Sequence, residues 1–254
     1  MCEPTALTLE TGPRPWGFWA TLGFSFAVLG ASIVVSMIVT AIFTIFAVIQ
    51  NPEIDIWEYL VSLASNGFCF AVTTIISATI CTAMVVLFAN LRKGITIKTY
   101  LALRTPSRKQ LVKWFLVLGL FMVLSDALTL SLGQPIVPEF MVEMYRTAYF
   151  TPVLLIALLL MSPVFEETFM RGFLFEGIKH SRLGSSGAVI LTAAVWSALH
   201  IQYDLYGIAT VFVGGLLLGI ARLKSGSVYL TIAMHSLWSL VATLETAVYA
   251  GMST

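Results

Sequence analysis

An all-α, polytopic membrane bundle of about seven to eight spans is the fold class this sequence predicts, and three observations carry it. Apolar runs of helix length recur from end to end of the 254 residues. Charged residues make up only 11% of the chain, against about 25% in soluble domains. Those charges gather between the runs or, in one place, stand inside a run. A mean hydropathy of +0.92 suits helices solvated by lipid, which satisfy their backbone groups internally. The whole chain, residues 1–254, reads as one membrane domain without internal repeats.

The first run extends from about Trp16 to Ile49, long enough to tilt. Before it, the stretch to Pro15 holds Cys2, Glu3, Glu10 and Arg14 and lacks the apolar core of a signal segment. An acidic, turn-prone connection, Asn51 to Glu58, leads to a second run from about Tyr59 to Ala89. The most basic segment follows, with Arg92, Lys93, Lys98, Arg104, Arg108, Lys109 and Lys113. The positive-inside rule places it in the cytoplasm, and the N-terminus with it. A third run covers about Trp114 to Leu132, and Pro135 and Pro138 break the connection that follows. Span four begins near Thr151, and Pro163 is positioned to kink it or split it into two pieces, the source of an eighth element. Spans five, six and seven run from about Ala188 to Gln202, Gly207 to Leu223 and Val228 to Ala250. In span six, Gly215 and Gly219 have the small-xxx-small spacing that lets helices approach closely.

A net charge of +1 excludes the broad basic surface of a nucleic-acid binder, so no nucleic-acid partner is expected. Cys2, Cys69 and Cys81 show neither metal-ligand nor disulfide spacing. The informative stretch is Ser162 to Gly172, where Glu166, Glu167 and Arg171 interrupt an apolar run. A charge at membrane depth costs roughly 2.5–3.5 kcal/mol on insertion scales, so such groups face a protein interior or a wet cavity and mark a functional site. Adjacent helical residues point about 100° apart, so only one of the two glutamates can face a given cavity. Glu167 and Arg171, spaced i,i+4 with the acid first, make a favourable helical ion pair. That leaves Glu166 as the free carboxylate.

His200, near the end of span five, and His235, in the last span, are the other ionisable groups to consider, with Asp126 in span three a weaker candidate. At 1.5 Å per helical residue from the nearest cytoplasmic loop, Glu166 lies roughly 20 Å deep, His200 roughly 24 Å and His235 roughly 16 Å. All three can share one layer near the membrane middle, in a pocket expected to open toward the cytoplasm.

Glu166-Glu167-x-x-x-Arg171, then Trp196-x-x-x-His200, then His235 four residues before a small polar residue resembles the CAAX protease and bacteriocin-processing (CPBP, or Abi) family over roughly residues 151–240. The resemblance implies a multi-pass intramembrane endopeptidase. In it, Glu166 and His200 activate a water while His235 and Ser239 stabilise the oxyanion. Glu167 and Arg171 are supporting residues. The expected partners are a membrane-embedded or lipidated peptide and membrane lipid, in a bacterial or archaeal plasma membrane. The family usually has Phe where this chain has Trp196, for which helix packing is the first reading and orientation of His200 the second. It usually has Asn at the position of Ser239, whose hydroxyl has a shorter reach than an amide.

Family members have been described as metalloproteases as well as glutamate proteases. A divalent metal such as zinc held by Glu166, His200 and His235 therefore stays open, although no His-Glu-x-x-His pair is present. Two non-protease readings compete: a non-catalytic immunity, chaperone or regulatory partner of the same fold, and a small transporter. The transporter fits less well, because the polar intramembrane residues are concentrated in the second half rather than in paired repeats.

Overall fold

The computed structural model describes residues 13–252; Cys2, Glu3 and Glu10 lie outside the described residues. All regular structure among the described residues is helical. Six helices are long and apolar enough to cross a membrane, and a seventh, apolar but shorter, packs among them. The expected bundle is present, with several differences in its elements.

Helix α1 (Phe18–Gln50) buries few residues and presents most of its length outward. It lies along α3 (Gly67–Asn90): Phe24 stacks on Phe88 with ring centroids 4.5 Å apart, and the Ser32 and Ser77 hydroxyls meet at 2.9 Å. The second apolar run, expected to be one span from Tyr59, is broken. A short α2 (Ile56–Leu63), capped by Asp55, stops before α3 begins. The break has two causes. The Asn66 side chain accepts from the Cys69 amide 2.8 Å away and so caps a new helix. At Gly67, a Cβ would sit 1.8 Å from the Met144 carbonyl oxygen, so only glycine lets the two backbones meet there.

A single turn, α4 (Ile97–Tyr100), lies within the basic segment. Helix α5 (Arg108–Ser131) starts earlier than its apolar run, because Ser107 and Gln110 close a capping box around its first turn. The connection after it contains an unexpected short helix, α6 (Glu139–Arg146), which begins directly after Pro138.

Helix α7 (Thr151–Lys179) is continuous. Pro163 does not split it and no eighth element arises. Two stretches instead widen to i→i+5 turns, Ala157–Met161 and Thr168–Leu174, one on each side of the segment holding Pro163, Glu166 and Glu167. A widened turn absorbs the hydrogen bond that proline removes without breaking the helix.

The short element is α8 (Gly184–Ala198), whose 15 residues rise about 22 Å, less than the hydrocarbon core. It returns through a tight turn into α9 (Leu205–Ser225), which Asp204 caps on the Gly207 amide at 2.8 Å. The chain ends in α10 (Val228–Met252). Helices α8 and α9 sit unusually close. A Cβ on Gly215 would meet Ala193 at 3.0 Å and Trp196 at 3.1 Å, and one on Gly219 would meet Val189 at 3.1 Å. The small-residue spacing read from the sequence thus sets the distance at which α9 lies against Trp196.

Candidate active site

The middle of α7 presents its two glutamates to different surroundings. Glu166 lines a cavity of about 1510 Å³ shared with Ser162, Trp196, His200, His235 and Ser239. Glu167 and Arg171 have no exposed side-chain surface and lie behind that wall, joined at 2.9 Å between Glu167 Oε1 and Arg171 Nη1. The i,i+4 pair therefore forms, and the other carboxylate faces the open space.

Each carboxylate has a distinct set of partners. Ser162, one turn earlier, donates its hydroxyl to Glu166 Oε1. The indole Nε1–H of Trp196 donates to Glu166 Oε2 at 2.6 Å. Both donors are neutral. Glu167 instead receives charge: besides Arg171, His235 Nδ1 approaches its Oε1 at 3.1 Å. The sequence reading tied Glu167 to Arg171 alone. Because α10 packs against this side of α7, the same oxygen also holds the ring of His235, so Glu167 orients a histidine as well as steadying its helix. Arg171 reaches further, to the Gly215 carbonyl at 3.2 Å, and its guanidinium lies 4.7 Å from the centre of the Trp196 ring.

The histidines follow from how their helices end and pack. Helix α8 stops at Ala198, and the His200 amide turns back to the Ser197 carbonyl at 3.0 Å. That leaves the Trp196 carbonyl without the amide partner a continuing helix would give it. The His200 ring fills the gap, with Nδ1 2.8 Å from that oxygen. A carbonyl only accepts, so Nδ1 carries the proton and Nε2 of neutral His200 is a free acceptor. The rings of His200 and His235 both meet Trp196 edge-on, with centroids 5.0 and 5.2 Å away. Trp196, only 3% exposed, is thus a shared surface for Glu166, Arg171, His200 and His235. Packing was the first sequence reading of this residue, and it was incomplete. The i+4 spacing to His200 was a usable signal for the carbonyl contact, but nothing in the sequence placed the indole against Glu166.

Tyr203, on the turn after His200, is a residue the sequence did not single out. It lines the same cavity, and its ring lies 6.0 Å from His200 and 5.0 Å from Phe140 of α6. Burial and the nearby Glu166 carboxylate push its phenol up to about 12. Asp126 also lines the cavity, as does Glu245. Ser239 contributes to the wall, one turn after His235.

The cavity does not open as expected. Its lining comes from the middle of α1, α3, α5, α7 and α10, from residues 134–145, and from the turn around Tyr203. None of the lining residues belongs to the basic stretch from Arg92 to Lys113. The space therefore reaches the end of the bundle away from that stretch, and the expected opening toward the basic side is corrected. Glu166, His200 and His235 do line one cavity, and the depth count says nothing of which end is covered. At the basic end, the last turns of α7 and α9 close the bundle: Arg222 Nη2 donates to Glu176 Oε1 at 2.6 Å and Arg222 Nε to the Arg171 carbonyl at 2.9 Å.

Among the described residues, no three His, Cys, Asp or Glu side chains come together as a metal site. Glu166, His200 and His235 share a wall, but Glu167 holds one imidazole and the two neutral donors occupy Glu166. The donor set as arranged does not form a three-ligand centre.

No curated protein and no solved structure matches the chain. Among family models, one described as type II CAAX prenyl endopeptidase Rce1-like matches residues 148–241, a span that holds Glu166, Glu167, Arg171, Trp196, His200, His235 and Ser239. That match falls on the segment whose motifs carry the resemblance, so residues 148–241 are similar to that family.

Proposed function

We propose that the protein is an intramembrane endopeptidase that hydrolyses a peptide bond of a membrane-embedded or lipidated substrate with water activated by Glu166 and His200. The observation that carries this reading is the environment of Glu166. It is a carboxylate inside a membrane span, facing a cavity, whose two hydrogen bonds both come from neutral donors. A carboxylate tied to a cation has its charge neutralised, whereas one held by neutral donors keeps acceptor capacity for a water proton.

The steps follow from the groups present. A water between Glu166 and the scissile carbonyl gives a proton to Glu166 as its oxygen bonds to carbon. His200, with Nδ1 committed to the Trp196 carbonyl, offers Nε2 to orient that water. Negative charge develops on the carbonyl oxygen and needs preplaced donors. His235, its ring anchored to Glu167 through Nδ1, is the donor placed to meet that need, and Ser239 adds a hydroxyl one turn away. Collapse breaks the C–N bond, and the proton held by Glu166 passes to the leaving amine. No step is routed through a metal, since the residues do not assemble a three-donor site.

The test is cleavage in proteoliposomes by the purified protein, read by mass spectrometry on a library of membrane-anchored peptides. Cleavage lost in both Glu166→Gln and His200→Ala, with folding intact, supports the reading; retained cleavage in Glu166→Gln removes Glu166 as base. A second reading, a non-catalytic binding partner of the same fold, draws on Ser239, whose hydroxyl supplies one donor where an amide would supply two. A substrate-trapping Glu166→Gln variant separates the two. An enzyme's partner is cleaved on return of the wild-type protein, while a non-catalytic protein's partner is captured equally by both and never cut.

A further inference from the structure

Resting on that reading, we infer that Trp196 is the positioning residue of the site, setting the water-activating carboxylate through its indole N–H and the water-orienting histidine through its main-chain carbonyl.

The two contacts come from opposite ends of one residue. The indole Nε1 lies 2.6 Å from Glu166 Oε2, and the carbonyl oxygen lies 2.8 Å from His200 Nδ1. Glu166 stands on α7, and His200 lies just past the end of α8. Their relative placement is therefore transmitted through a side chain whose own orientation must be fixed. Four neighbours fix it. The Arg171 guanidinium covers one part of the ring at 4.7 Å, the His235 ring abuts it at 5.2 Å, and Trp238 stands 6.1 Å away. The fourth is α9, which Gly215 allows so close that a Cβ there would lie 3.1 Å from the Trp196 ring. A buried, planar side chain held on this many sides has one orientation available, as a preorganised site needs. Ser162 supports the other oxygen of Glu166 but touches neither histidine, so it cannot coordinate the two helices.

This assignment separates packing from positioning by a single atom. Phenylalanine at 196 keeps an aromatic surface for His200, His235 and Arg171 and keeps the carbonyl, but it has no N–H. The benzothienyl analogue of tryptophan, introduced at position 196 alone, retains the full ring shape and replaces the N–H with sulfur.

Two measurements on the full-length protein in detergent or lipid test the proposal. The first uses protein labelled at the indole nitrogens, with the Trp196 Nε1–H resonance assigned by its loss in Trp196→Phe. Glu166→Gln is expected to move that resonance upfield, whereas Glu176→Gln, at the other end of α7, leaves it in place. A Trp196 resonance insensitive to Glu166→Gln overturns the proposal. The second is peptide cleavage. Both Trp196→Phe and the benzothienyl protein are expected to lose about 10²-fold in kcat, the scale of a misplaced reacting group, with KM within about twofold. If the benzothienyl protein keeps wild-type kcat, ring packing alone suffices and the proposal fails. The two arms also separate this inference from the function beneath it. A shifted resonance in a protein that cleaves nothing removes the protease reading and leaves Trp196 holding Glu166. An unshifted resonance in an active protease does the reverse.

Discussion

Two carboxylates on the same helix, Glu166 and Glu176, show how a membrane bundle treats buried charge in opposite ways. Glu176 is held by Arg222 and Lys179, with a histidine ring beside it. Arg222 binds it at 2.6 Å, Lys179 lies 3.7 Å away and the His180 ring 3.4 Å away, and it does not line the cavity. Glu166, ten residues earlier, takes its hydrogen bonds from a hydroxyl and an indole N–H, and it faces the cavity. The first arrangement neutralises a charge and ties α7 to α9. The second leaves a charge available for chemistry. Glu167 is intermediate, paired with Arg171 yet also holding His235. Residue type therefore does not distinguish structural from chemical carboxylates here; the partners do.

That contrast is sharpened first by matched neutral substitutions. Glu166→Gln is expected to reduce peptide cleavage by about 10³-fold, within the range for a lost general base, while the thermal midpoint stays close to wild type. Cleavage that survives would place Glu166 with Glu176 as a structural group. The converse variant, Glu176→Gln, leaves Arg222 buried with one charged partner removed. A stability loss of roughly 3 kcal/mol is expected, read as a lowered unfolding midpoint in denaturant, with cleavage per folded molecule preserved. A stable Glu176→Gln protein would show that the Arg222 contact contributes little.

Smaller effects test the far wall. Ser239→Ala is expected to lower kcat by about tenfold, less than the 10²–10³ of a fully engaged oxyanion donor, and Ser239→Asn to raise it above wild type. An inert Ser239 would take it out of the mechanism. The pH dependence of stability comes next. Tyr100 and Tyr203 both have phenols pushed up to about 12, chiefly by burial. The folded state then holds these protons more tightly than the unfolded chain. Their contribution is full below about pH 10 and is lost as the pH rises toward about 12. Melting curves of the Tyr100→Phe, Tyr203→Phe double variant should fall less steeply than wild type across that window. The smallest expected change is that of metal removal: thorough chelation should leave cleavage within about twofold, and its loss would bring zinc back into the mechanism.

Much of the site was legible because membrane depth makes polarity conspicuous. Glu166, Glu167, Arg171, His200 and His235 could be singled out without any neighbour, since each is costly in lipid unless something receives it. Helical periodicity separated the two glutamates and paired Glu167 with Arg171. Tyr203 escaped notice, and Trp196 was read first as packing, because aromatic residues are ordinary in a bundle and only a neighbour on another helix shows that one of them is donating. The pairing of Glu176 with Arg222 was not legible, since 46 positions separate them and no local pattern links them.

The sequence by itself determined that this is a helical membrane protein, where most of its helices run, and which residues carry charge into the bilayer. Those properties depend on composition and on a period of 3.6 residues, and both are local. Tertiary structure decided that α2 and α3 separate at Asn66, that α7 passes Pro163 on widened turns, and that α8 falls short of a full span. It also decided that the cavity reaches the end away from the basic segment, and that one indole joins Glu166 to the helix end that His200 follows. Each of these depends on where a second helix comes to rest, and a chain read one residue at a time does not contain that distance.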